Sequence, residues 1–389
     1  MAQAVLVGLS GGVDSAVAAY LLRGEGLEVH GLTLWLWEPD GPRENRCCSV
    51  DTAALAAREL GIPHEVLEVG PEFRRLVVEP ALAAYRAGIT PNPCAVCNRE
   101  VRFALLLREA DRRGIGWVAT GHHARVRRDG GARLLRGRDP TKDQSYFLYG
   151  LSQAELGRAL FPVGERTKAE IKALAGELGL TAAHLPESQD LCFAPGGIAA
   201  LLPDAPPGPI LDLSGRKLGE HRGLPHYTVG QRKGLGISCP EPLYVVALDP
   251  EENAVIVGPE EALWARGLVA RDLAWISGRP PETVFSAEVQ VRYRSPAVPA
   301  EVELRGDAAH VRFARPVRAV APGQAAVFYR SDEVLGGGII AQALPLRGQA
   351  LAGQARVEDV AQPFPEQVHP EHEQEDRHPR DGGDPPRPE

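Results

Sequence analysis

The string GLSGGVDS, residues 8–15, lies between an apolar strand predicted at Ala4–Val7 and an amphipathic helix predicted at Asp14–Leu22. Its glycines let the backbone turn tightly and approach a ligand closely. The N–H groups at the start of the helix, with the hydroxyls of Ser10 and Ser15, form a nest that favours an anion. The string is neither a Walker A loop nor a dinucleotide fingerprint, because it lacks their lysine and their glycine spacing. It therefore predicts another kind of phosphate loop, at the first strand–helix turn of an α/β domain.

Strand-like and helix-like segments alternate through the first 190 residues. Ser152-x-x-Glu155 and Thr167-x-x-Glu170 are capping boxes, and each predicts the start of a helix. Such alternation predicts the fold class α/β, with a doubly wound parallel sheet that carries helices on both faces. The other predicted strands are Val29–Trp35, Glu65–Val69 and Gly116–Thr120. The other predicted helices are Ala53–Leu60 and Arg99–Arg113.

The pattern changes near the Pro-rich stretch Pro203–Pro209. Beyond it, short strands alternate with turn residues, which is typical of an antiparallel barrel or sandwich. We predict four parts: an α/β domain at 1–203, a small central mixed domain at 204–275, a C-terminal β-barrel at 276–352 and a disordered acidic, Pro-rich tail at 353–389. The predicted strands of the second half are Leu243–Leu248, Ala254–Val257, Phe285–Tyr293, Glu301–Leu304, His310–Phe313, Gln324–Tyr329 and Gly338–Ala343.

The net charge of the 389 residues is −8, but it is unevenly distributed. Residues 361–389 hold eight acidic side chains against three arginines, whereas residues 123–142 hold six arginines and a lysine against two aspartates. A basic cluster of this kind either neutralises phosphates or forms a solvated charged hairpin. The overall acidity therefore does not exclude a nucleic-acid partner.

The sequence also indicates the compartment. No apolar run approaches the ~20 residues that span a bilayer, and the N-terminus lacks the basic region of a signal peptide. Six cysteines in 389 residues do not suggest a disulfide scaffold. We therefore expect no membrane partner and a cytoplasmic protein, in which a special cysteine is reactive or metal-bound.

Three cysteines lie in distinctive settings. Cys94-Ala-Val-Cys97 follows two X-Pro steps, and Cys192 precedes a Pro-Gly-Gly turn. A helix predicted to open just after Cys97, together with Arg99, should lower the pKa of the Cys97 thiol. Two reactive thiols on separate loops suit sulfur or disulfide chemistry. The alternative is three incidental buried cysteines.

The chain as a whole resembles the tRNA-specific 2-thiouridylases, within the N-type ATP pyrophosphatases whose SGGxDS loop binds pyrophosphate. The resemblance covers nearly the whole chain except the acidic tail. It implies an adenine nucleotide alpha-hydrolase-like catalytic domain at 1–203 and a tRNA-binding barrel at 276–352. The strings that carry it are LSGGVDS (9–15), TPNPCAVCNREVRF (90–103), ATGHHARV (119–126), KDQSYFLY (142–149), ESQDLCF (187–193), GLPHYTVGQRKGLGI (223–237), VRYRSP (291–296) and APGQAAVFY (321–329).

This resemblance implies a reaction. ATP adenylates the 2-carbonyl oxygen of the wobble uridine in the tRNA anticodon stem-loop, after the base is flipped out of its stack. Cys192 matches the cysteine that carries a persulfide, supplied by a donor protein such as a cysteine desulfurase or a relay protein. Cys97 matches the cysteine that attacks the persulfide, which leaves a Cys97–Cys192 disulfide or first liberates hydrosulfide.

The resemblance also assigns contacts residue by residue. We expect Mg²⁺ with the ATP, because phosphate charge must be neutralised, and Asp14 is the one side chain named for it. The residues expected to contact ATP are Gly8, Leu9, Ser10, Gly11, Gly12, Val13, Asp14, Ser15, Leu34 and Gly121. The residues expected to contact tRNA are Asn92, Pro93, Cys94, His122, Lys142, Asp143, Gln144, Arg292, Tyr293 and Gln324.

Position 94 departs from the family pattern, since many members have Asp where this chain has Cys94. Cys94, Cys97 and Cys192 could together hold a [4Fe–4S] cluster with one open iron, or zinc with an open position. The sequence commits to no metal site and leaves the persulfide and cluster routes open. Two other functions remain as alternatives: another ATP pyrophosphatase ligase of this superfamily, and a non-catalytic tRNA-binding protein with a relic loop.

Overall fold

The computed structural model describes residues 3–36, 49–186 and 191–346. The predicted tail at 353–389 lies outside these residues, and so do Cys47 and Cys48. In chain order the strands are β1 Ala4–Gly8, β2 Glu28–Trp35, β3 His64–Glu68, β4 Trp117–Thr120, β5 Ala124–Arg128, β6 Ala132–Arg136, β7 Ala159–Leu160, β8 Gly208–Asp212, β9 Lys217–His221, β10 Tyr244–Asp249, β11 Ala254–Gly258, β12 Trp264–Trp275, β13 Val284–Gln290, β14 Val298–Arg305, β15 Ala308–Arg318, β16 Ala325–Arg330 and β17 Glu333–Pro345.

The helices concentrate in the first half of the chain. Both capping boxes are present as predicted, at the starts of the two last helices. The α-helices are α1 Val13–Gly24, α2 Val50–Leu60, α3 Gly70–Phe73, α4 Glu79–Arg86, α5 Pro93–Val96, α6 Phe103–Arg112, α7 Gln153–Arg158 and α8 Lys168–Glu177. Two π-helical segments, Arg74–Val78 and Cys97–Arg102, join α3 to α4 and α5 to α6, and short 3₁₀ segments are Ser145–Phe147, Thr181–His184, Ile198–Leu201, Leu224–His226 and Glu260–Leu263.

The first half is built on a parallel sheet with the strand order β3-β2-β1-β4-β7. Val5 and Val7 of β1 face one apolar cluster with α1 and α2, whereas Leu6 faces another with α6. Burial on both faces explains why β1 is apolar throughout. The predicted α/β class, with helices on both faces of a parallel sheet, is confirmed.

The second half contains the predicted barrel. Its strands follow the order β12-β15-β14-β13-β16-β17, and β12 pairs with β17 to close it. Because β12 begins at Trp264, the barrel sheet starts before the boundary predicted at 276; the four-part division otherwise stays a prediction. Between the two halves, β10-β11-β8-β9 form a small mixed sheet, as expected for the central domain.

The hairpin β5–β6 lies in the basic segment for which a charged hairpin was one of the two interpretations, and its pairing with the barrel, which links the first half to it, was not predicted. Val334 and Glu333 of β17 pair with Leu134 and Leu135 of β6, so the barrel sheet continues into the hairpin. The Tyr146 hydroxyl also donates to the Ala325 carbonyl oxygen at 2.9 Å. The first half and the barrel are therefore joined by backbone hydrogen bonds, not by a linker alone.

Two glycines give a paired test of packing. A Cβ on Gly164 would meet the carbonyl oxygen of Ala124, whereas one on Gly176 in α8 would meet nothing within 4 Å. We expect Gly164→Ala to destabilise the protein by about 1–3 kcal/mol, because backbone must move. Gly176→Ala should stabilise it by about 0.5 kcal/mol through helix propensity. Chemical denaturation checks both, and equal stabilities would contradict the packing argument.

Candidate functional site

The loop at residues 8–15 forms the N-terminal end of α1. Gly12 is the N-cap residue and makes no side-chain cap, so the first N–H groups of the described helix are not covered by a capping side chain. Ser15 Oγ donates to the Gly12 carbonyl oxygen at 2.9 Å and accepts from Ser10 N at 3.2 Å. Gly11 has φ +81°, and a Cβ there would meet the Thr52 side chain. The loop therefore leads into a helix N-terminus without a side-chain cap, a position that favours an anion.

Neighbouring strands bring other predicted nucleotide residues to this loop. A Cβ on Gly121, just after β4, would lie 2.5 Å from Ser15 N, so the two backbones touch. Leu9 N donates to the Leu32 carbonyl oxygen at 2.9 Å, and Thr33 Oγ1 donates to Leu9 O at 2.8 Å. Leu34 lies two residues along β2 from Leu32. Because β1, β2 and β4 are parallel, all these residues gather at their carboxyl ends, where such sheets bind ligands.

Asp14 has two partners that sequence reasoning missed. Lys168 Nζ lies 2.7 and 2.6 Å from the two oxygens of Asp14, and His123 Nε2 lies 3.1 Å from Oδ1. Burial acts to raise the pKa of the Asp14 carboxyl, but the hydrogen bond from His123 and the charge of Lys168 outweigh it and lower that pKa. Only the capping box at Thr167 pointed to this region of the sequence. The carboxylate therefore stays ionised in the loop.

Asn92 and Pro93 correct the predicted helix start. The helix opens at Pro93 and not after Cys97, with Asn92 as the N-cap whose side chain accepts from Ala95 N at 3.4 Å. Cys94 is thus in the first turn, and Cys97 begins the π-helical segment one turn later. The helix N-terminus is therefore nearer to Cys94. Arg99 Nε donates to Glu100 Oε1 at 2.6 Å, an ion pair that competes with any effect of Arg99 on Cys97.

Cys97 and Cys192 belong to one apolar cluster. Cys97 is buried and Cys192 is partly buried against the same core, which also includes Leu34 of β2. Phe193, next to Cys192, packs edge-on against Phe73 at 5.9 Å between ring centroids. Among the described cysteines, none is joined in a disulfide, and Cys94 is exposed. Cys97 and Cys192 therefore pack against one common core, with no disulfide among the described cysteines.

The segment before Cys94 is held by the central domain and the barrel. Gln324 Nε2 donates to the carbonyl oxygens of Thr90 and Pro91 at 2.8 and 3.2 Å. Thr90 Oγ1 lies 2.7 Å from Thr228 Oγ1. Gln324, expected to contact tRNA, thus also positions the loop that leads to the cysteines.

Comparisons with known proteins match this arrangement. Three family models cover residues 3–196, 198–259 and 265–340, described as a tRNA methyl transferase HUP domain, a tRNA methyl transferase PRC-barrel domain and an aminomethyltransferase beta-barrel domain. The tRNA-specific 2-thiouridylase MnmA of Roseiflexus sp. (strain RS-1) is 50% identical over 370 residues, which is 87% of this chain and 99% of that protein. The chain belongs to the tRNA-specific 2-thiouridylase family.

A second relative, with somewhat lower identity, belongs to the same family. MnmA of Geobacter metallireducens is 47% identical over 363 residues, with 87% of this chain and 97% of that protein covered. Among solved structures, the U34-tRNA thiolase NcsA from Methanococcus maripaludis, described with its [4Fe-4S] cluster, is 19% identical with a TM-score of 0.33, covering 51% of this chain and 64% of its own. That likeness is too weak to transfer chemistry. The predictions of an enzyme and of a tRNA sulfurtransferase are confirmed by the family.

Two residues that this 2-thiouridylase was expected to use on tRNA make internal contacts. Asp143 accepts from Gly137 N at 2.9 Å, from Ser145 N and Oγ at 3.0 Å each, and from Arg136 Nη1 at 3.1 Å. Gln144 Oε1 accepts from His123 N at 2.9 Å. Lys142 is partly buried beside them. The side chains of Asp143 and Gln144 therefore stabilise this loop through internal hydrogen bonds. Their contact with tRNA stays a prediction.

The arginines at 123–142 form a charged hairpin with internal partners. These contacts agree with a charged hairpin, the second of the two interpretations of the basic cluster, and the phosphate-contacting surface expected there stays a prediction. The contacts are Arg125 with Asp332 at 2.7 Å, Arg127 with Asp129 at 2.9 Å, Arg128 with the Leu156 carbonyl oxygen at 3.2 Å, Arg133 with Asp129 at 3.3 Å, Arg136 with Asp143 at 3.1 Å, and Arg138 with the Glu165 carbonyl oxygen at 3.1 Å.

The other expected tRNA residues of this 2-thiouridylase differ in accessibility. His122 is only 7% exposed, with Nδ1 at 2.8 Å from Thr120 Oγ1 and its ring against two phenylalanines. Arg292 Nη2 donates to the Val229 carbonyl oxygen at 3.3 Å, and Tyr293 packs on Phe147 at 4.4 Å. Arg292 thus touches the central domain from the barrel. Direct contact of these residues with tRNA stays a prediction.

The three cysteines considered for a metal do not form a metal site among the described residues. Within 3–36, 49–186 and 191–346, no group of three His, Cys, Asp or Glu side chains is gathered as a metal site. Cys94, Cys97 and Cys192 as arranged here do not fit a [4Fe–4S] cluster or zinc, so no step is derived through one. No helix among the described residues is long and apolar enough to cross a membrane.

Proposed function

We propose that this enzyme catalyses ATP-dependent 2-thiolation of the wobble uridine of tRNA, with sulfur carried as a persulfide on Cys192. The observation that carries the proposal is that Cys192 packs against the core cluster that contains Cys97 and Leu34, while the α1 loop touches Gly121. The helical run from Pro93 precedes β4 and so begins at the carboxyl edge of the sheet, where the α1 loop also lies. Cys97 and Leu34 share one core cluster there.

In the first step the uridine 2-carbonyl oxygen attacks the α-phosphorus of ATP. A bond forms from that oxygen to phosphorus, the bond to the β-phosphate oxygen breaks, and pyrophosphate leaves. The N–H groups of the loop from Ser10 to Ser15 bind the phosphates and stabilise the charge that develops on them. Mg²⁺, when bound, would supply further neutralisation of the phosphates, and Asp14, the acidic side chain in the first turn of α1, would be the residue to hold it.

In the second step the terminal sulfur of the Cys192 persulfide attacks C2 of the base, and AMP leaves. Cys97 thiolate then attacks the Cys192 sulfur, which releases 2-thiouridine and leaves a Cys97–Cys192 disulfide. In the variant order, Cys97 attacks first, and the liberated hydrosulfide attacks C2. Both orders require a two-electron reduction of the disulfide before the next cycle. A persulfide-donor protein in the cytoplasm supplies the sulfur.

The experiment is a thiolation assay with the full chain. A tRNA transcript with uridine at the wobble position, ATP and a cysteine desulfurase with cysteine should yield 2-thiouridine by mass spectrometry and release pyrophosphate. The same transcript with cytidine at that position is the control and should yield neither. Absence of tRNA-dependent pyrophosphate release and of thiolation would overturn the proposal. Iron and zinc analysis of anaerobically purified protein tests the cluster route in parallel.

A further inference from the structure

The turn Arg292–Ser295, which follows β13, has an arginine in a strained position. Ser295 N donates to the Arg292 carbonyl oxygen at 3.0 Å, so the four residues form a β-turn, and Arg294 is its third residue. Arg294 has φ +64°. Where a β-turn requires a positive φ at its third position, that position is usually Gly or Asn. An arginine kept there is strained, and such strain is concentrated at binding sites.

The backbone of this turn is held by side chains on both sides of it. The Arg292 carbonyl oxygen also accepts from Ser295 Oγ at 2.8 Å and from Gln290 Nε2 at 3.2 Å. Gln290 is only 6% exposed, and its Oε1 has no hydrogen-bond partner among the described residues. Because an unpaired buried oxygen destabilises a fold, Gln290 is retained for the hydrogen bond that its amide donates. The turn is therefore fixed, with Arg294 in the left-handed conformation.

The turn lies close to the cysteine segment of the first half. The Tyr293 ring packs on Phe147, with 4.4 Å between the ring centroids. The Phe147 carbonyl oxygen in turn accepts from Asn98 Nδ2 at 3.4 Å. Asn98 follows Cys97 in the chain. A single intermediate residue, Phe147, therefore joins the turn to the segment that carries the reactive thiol.

The charge of Arg294 is not neutralised by the fold. Its side chain is exposed, and its guanidinium lies 5.3 Å from the centroid of the Tyr293 ring. Within 3–36, 49–186 and 191–346 it makes no ion pair, in contrast to Arg125 and Arg127 of the β5–β6 hairpin. An aromatic ring orients a guanidinium and leaves its donors available. Arg294 can therefore bind an anion through two parallel hydrogen bonds.

We propose that Arg294 binds a backbone phosphate of the tRNA anticodon loop, next to the uridine that is modified. This rests on the proposed function for the choice of that uridine, whereas the phosphate contact itself needs only the tRNA. A guanidinium and a phosphate form a bidentate, charge-assisted pair, which positions an RNA without reading its sequence. The fixed turn supplies this donor beside the cysteine segment, which is a reason to keep an arginine where a glycine would be less strained.

The salt dependence of tRNA binding tests the contact. Filter binding of a tRNA transcript with uridine at the wobble position is measured between about 50 and 200 mM salt. Arg294→Gln should weaken binding by about tenfold and reduce the slope of log K against log salt by about 0.7, the value for one phosphate of a single strand. Arg294→Lys should keep the slope and lose part of the affinity. An unchanged slope in Arg294→Gln would overturn the proposal.

Arg279→Gln is the matched control, since it removes the same charge. Arg279 is exposed in the loop before β13 and therefore lies at the other end of that strand. It should leave the affinity and the slope unchanged, and an equal loss in Arg279→Gln would contradict a specific contact. The isolated anticodon stem-loop should show the same difference in slope for Arg294→Gln as the whole tRNA. A difference confined to the whole tRNA would contradict the position of the phosphate.

Arg294→Gly separates binding from a structural role. Glycine adopts the left-handed conformation without strain, so the midpoint of thermal unfolding should rise by about 2 °C while tRNA binding falls as in Arg294→Gln. A lower midpoint would mean that the arginine stabilises the turn, and it would contradict the inference. If Arg294→Gln loses the slope but the unchanged enzyme thiolates no tRNA, the proposed function fails and the contact stands.

Discussion

Cys192→Ser is expected to reduce formation of 2-thiouridine by about 1,000-fold or more, because a serine hydroxyl cannot carry a persulfide. Cys97→Ser should have an effect of the same order, since the sulfur that remains on Cys192 would not be resolved. Both variants should keep tRNA-dependent pyrophosphate release in the first turnover, because adenylation precedes sulfur transfer. Mass spectrometry of the tRNA and a pyrophosphate assay provide the two readouts.

Cys239→Ser is the matched control for these variants. Cys239 is exposed in the central domain, outside the apolar cluster that holds Cys97 and Cys192. It should retain thiolation at the level of the unchanged enzyme. Turnover that survives in Cys97→Ser or in Cys192→Ser would contradict the persulfide route and favour another ATP-pyrophosphatase ligase.

Cys94→Ala separates the two sulfur routes. Cys94 is exposed in the first turn of its helix, and the persulfide route assigns it no electron transfer. Persulfide chemistry therefore predicts that most activity remains in Cys94→Ala. A cluster with three cysteine ligands predicts a loss as large as that of Cys97→Ser, together with a loss of bound iron.

Gly121→Ala is expected to reduce ATP affinity by about 100-fold, because the new methyl group would overlap backbone atoms of the phosphate loop. The Cβ would lie 2.5 Å from Ser15 N and 2.6 Å from the carbonyl carbon of Asp14. Neither atom belongs to a flexible side chain, so the start of α1 must move. The N–H groups that bind the phosphates would then lose their common direction.

Gly116→Ala gives the comparison at the other end of β4. A Cβ on Gly116 meets nothing within 4 Å. Calorimetry with a non-hydrolysable ATP analogue should therefore show unchanged affinity for Gly116→Ala, and circular dichroism should show both variants folded. An unchanged affinity in Gly121→Ala would mean that the nucleotide does not bind at this loop.

Local patterns predicted the first half of the fold well. The alternation of apolar segments predicted β1 to β4 together with α1, α2 and α6, because strands buried on both faces must be apolar along their length, whereas α3 and α4 were missed. The capping boxes at Ser152 and Thr167 were also correct, since capping depends on residues three apart. Asn92-Pro93 is also a local signal for a helix start, with Asn as the N-cap and Pro at the first helical position. The start was instead predicted after Cys97, and that prediction was wrong.

The features that were missed depend on contacts between distant segments. Lys168 reaches Asp14 across more than 150 residues of chain, and no local pattern marks a lysine at a helix start as buried. Segment 124–136 was interpreted by its charge alone, whereas its strands pair with β17 and its arginines pair with carboxylates and carbonyls. Which residues pair with each other is set by tertiary structure, and a single sequence does not reveal those pairs.

The ladder between β6 and β17 restricts how the enzyme can move. Its backbone bonds at Val334 and Glu333, with the Arg136 guanidinium 3.5 Å from the Tyr329 ring centroid, fasten the barrel to the segment that follows His123. The barrel attached in this way cannot rotate as a rigid body relative to the first half unless those bonds break. We therefore expect adjustment to an RNA to come from side chains and loops at the rim, while the first half and the barrel keep their relative positions.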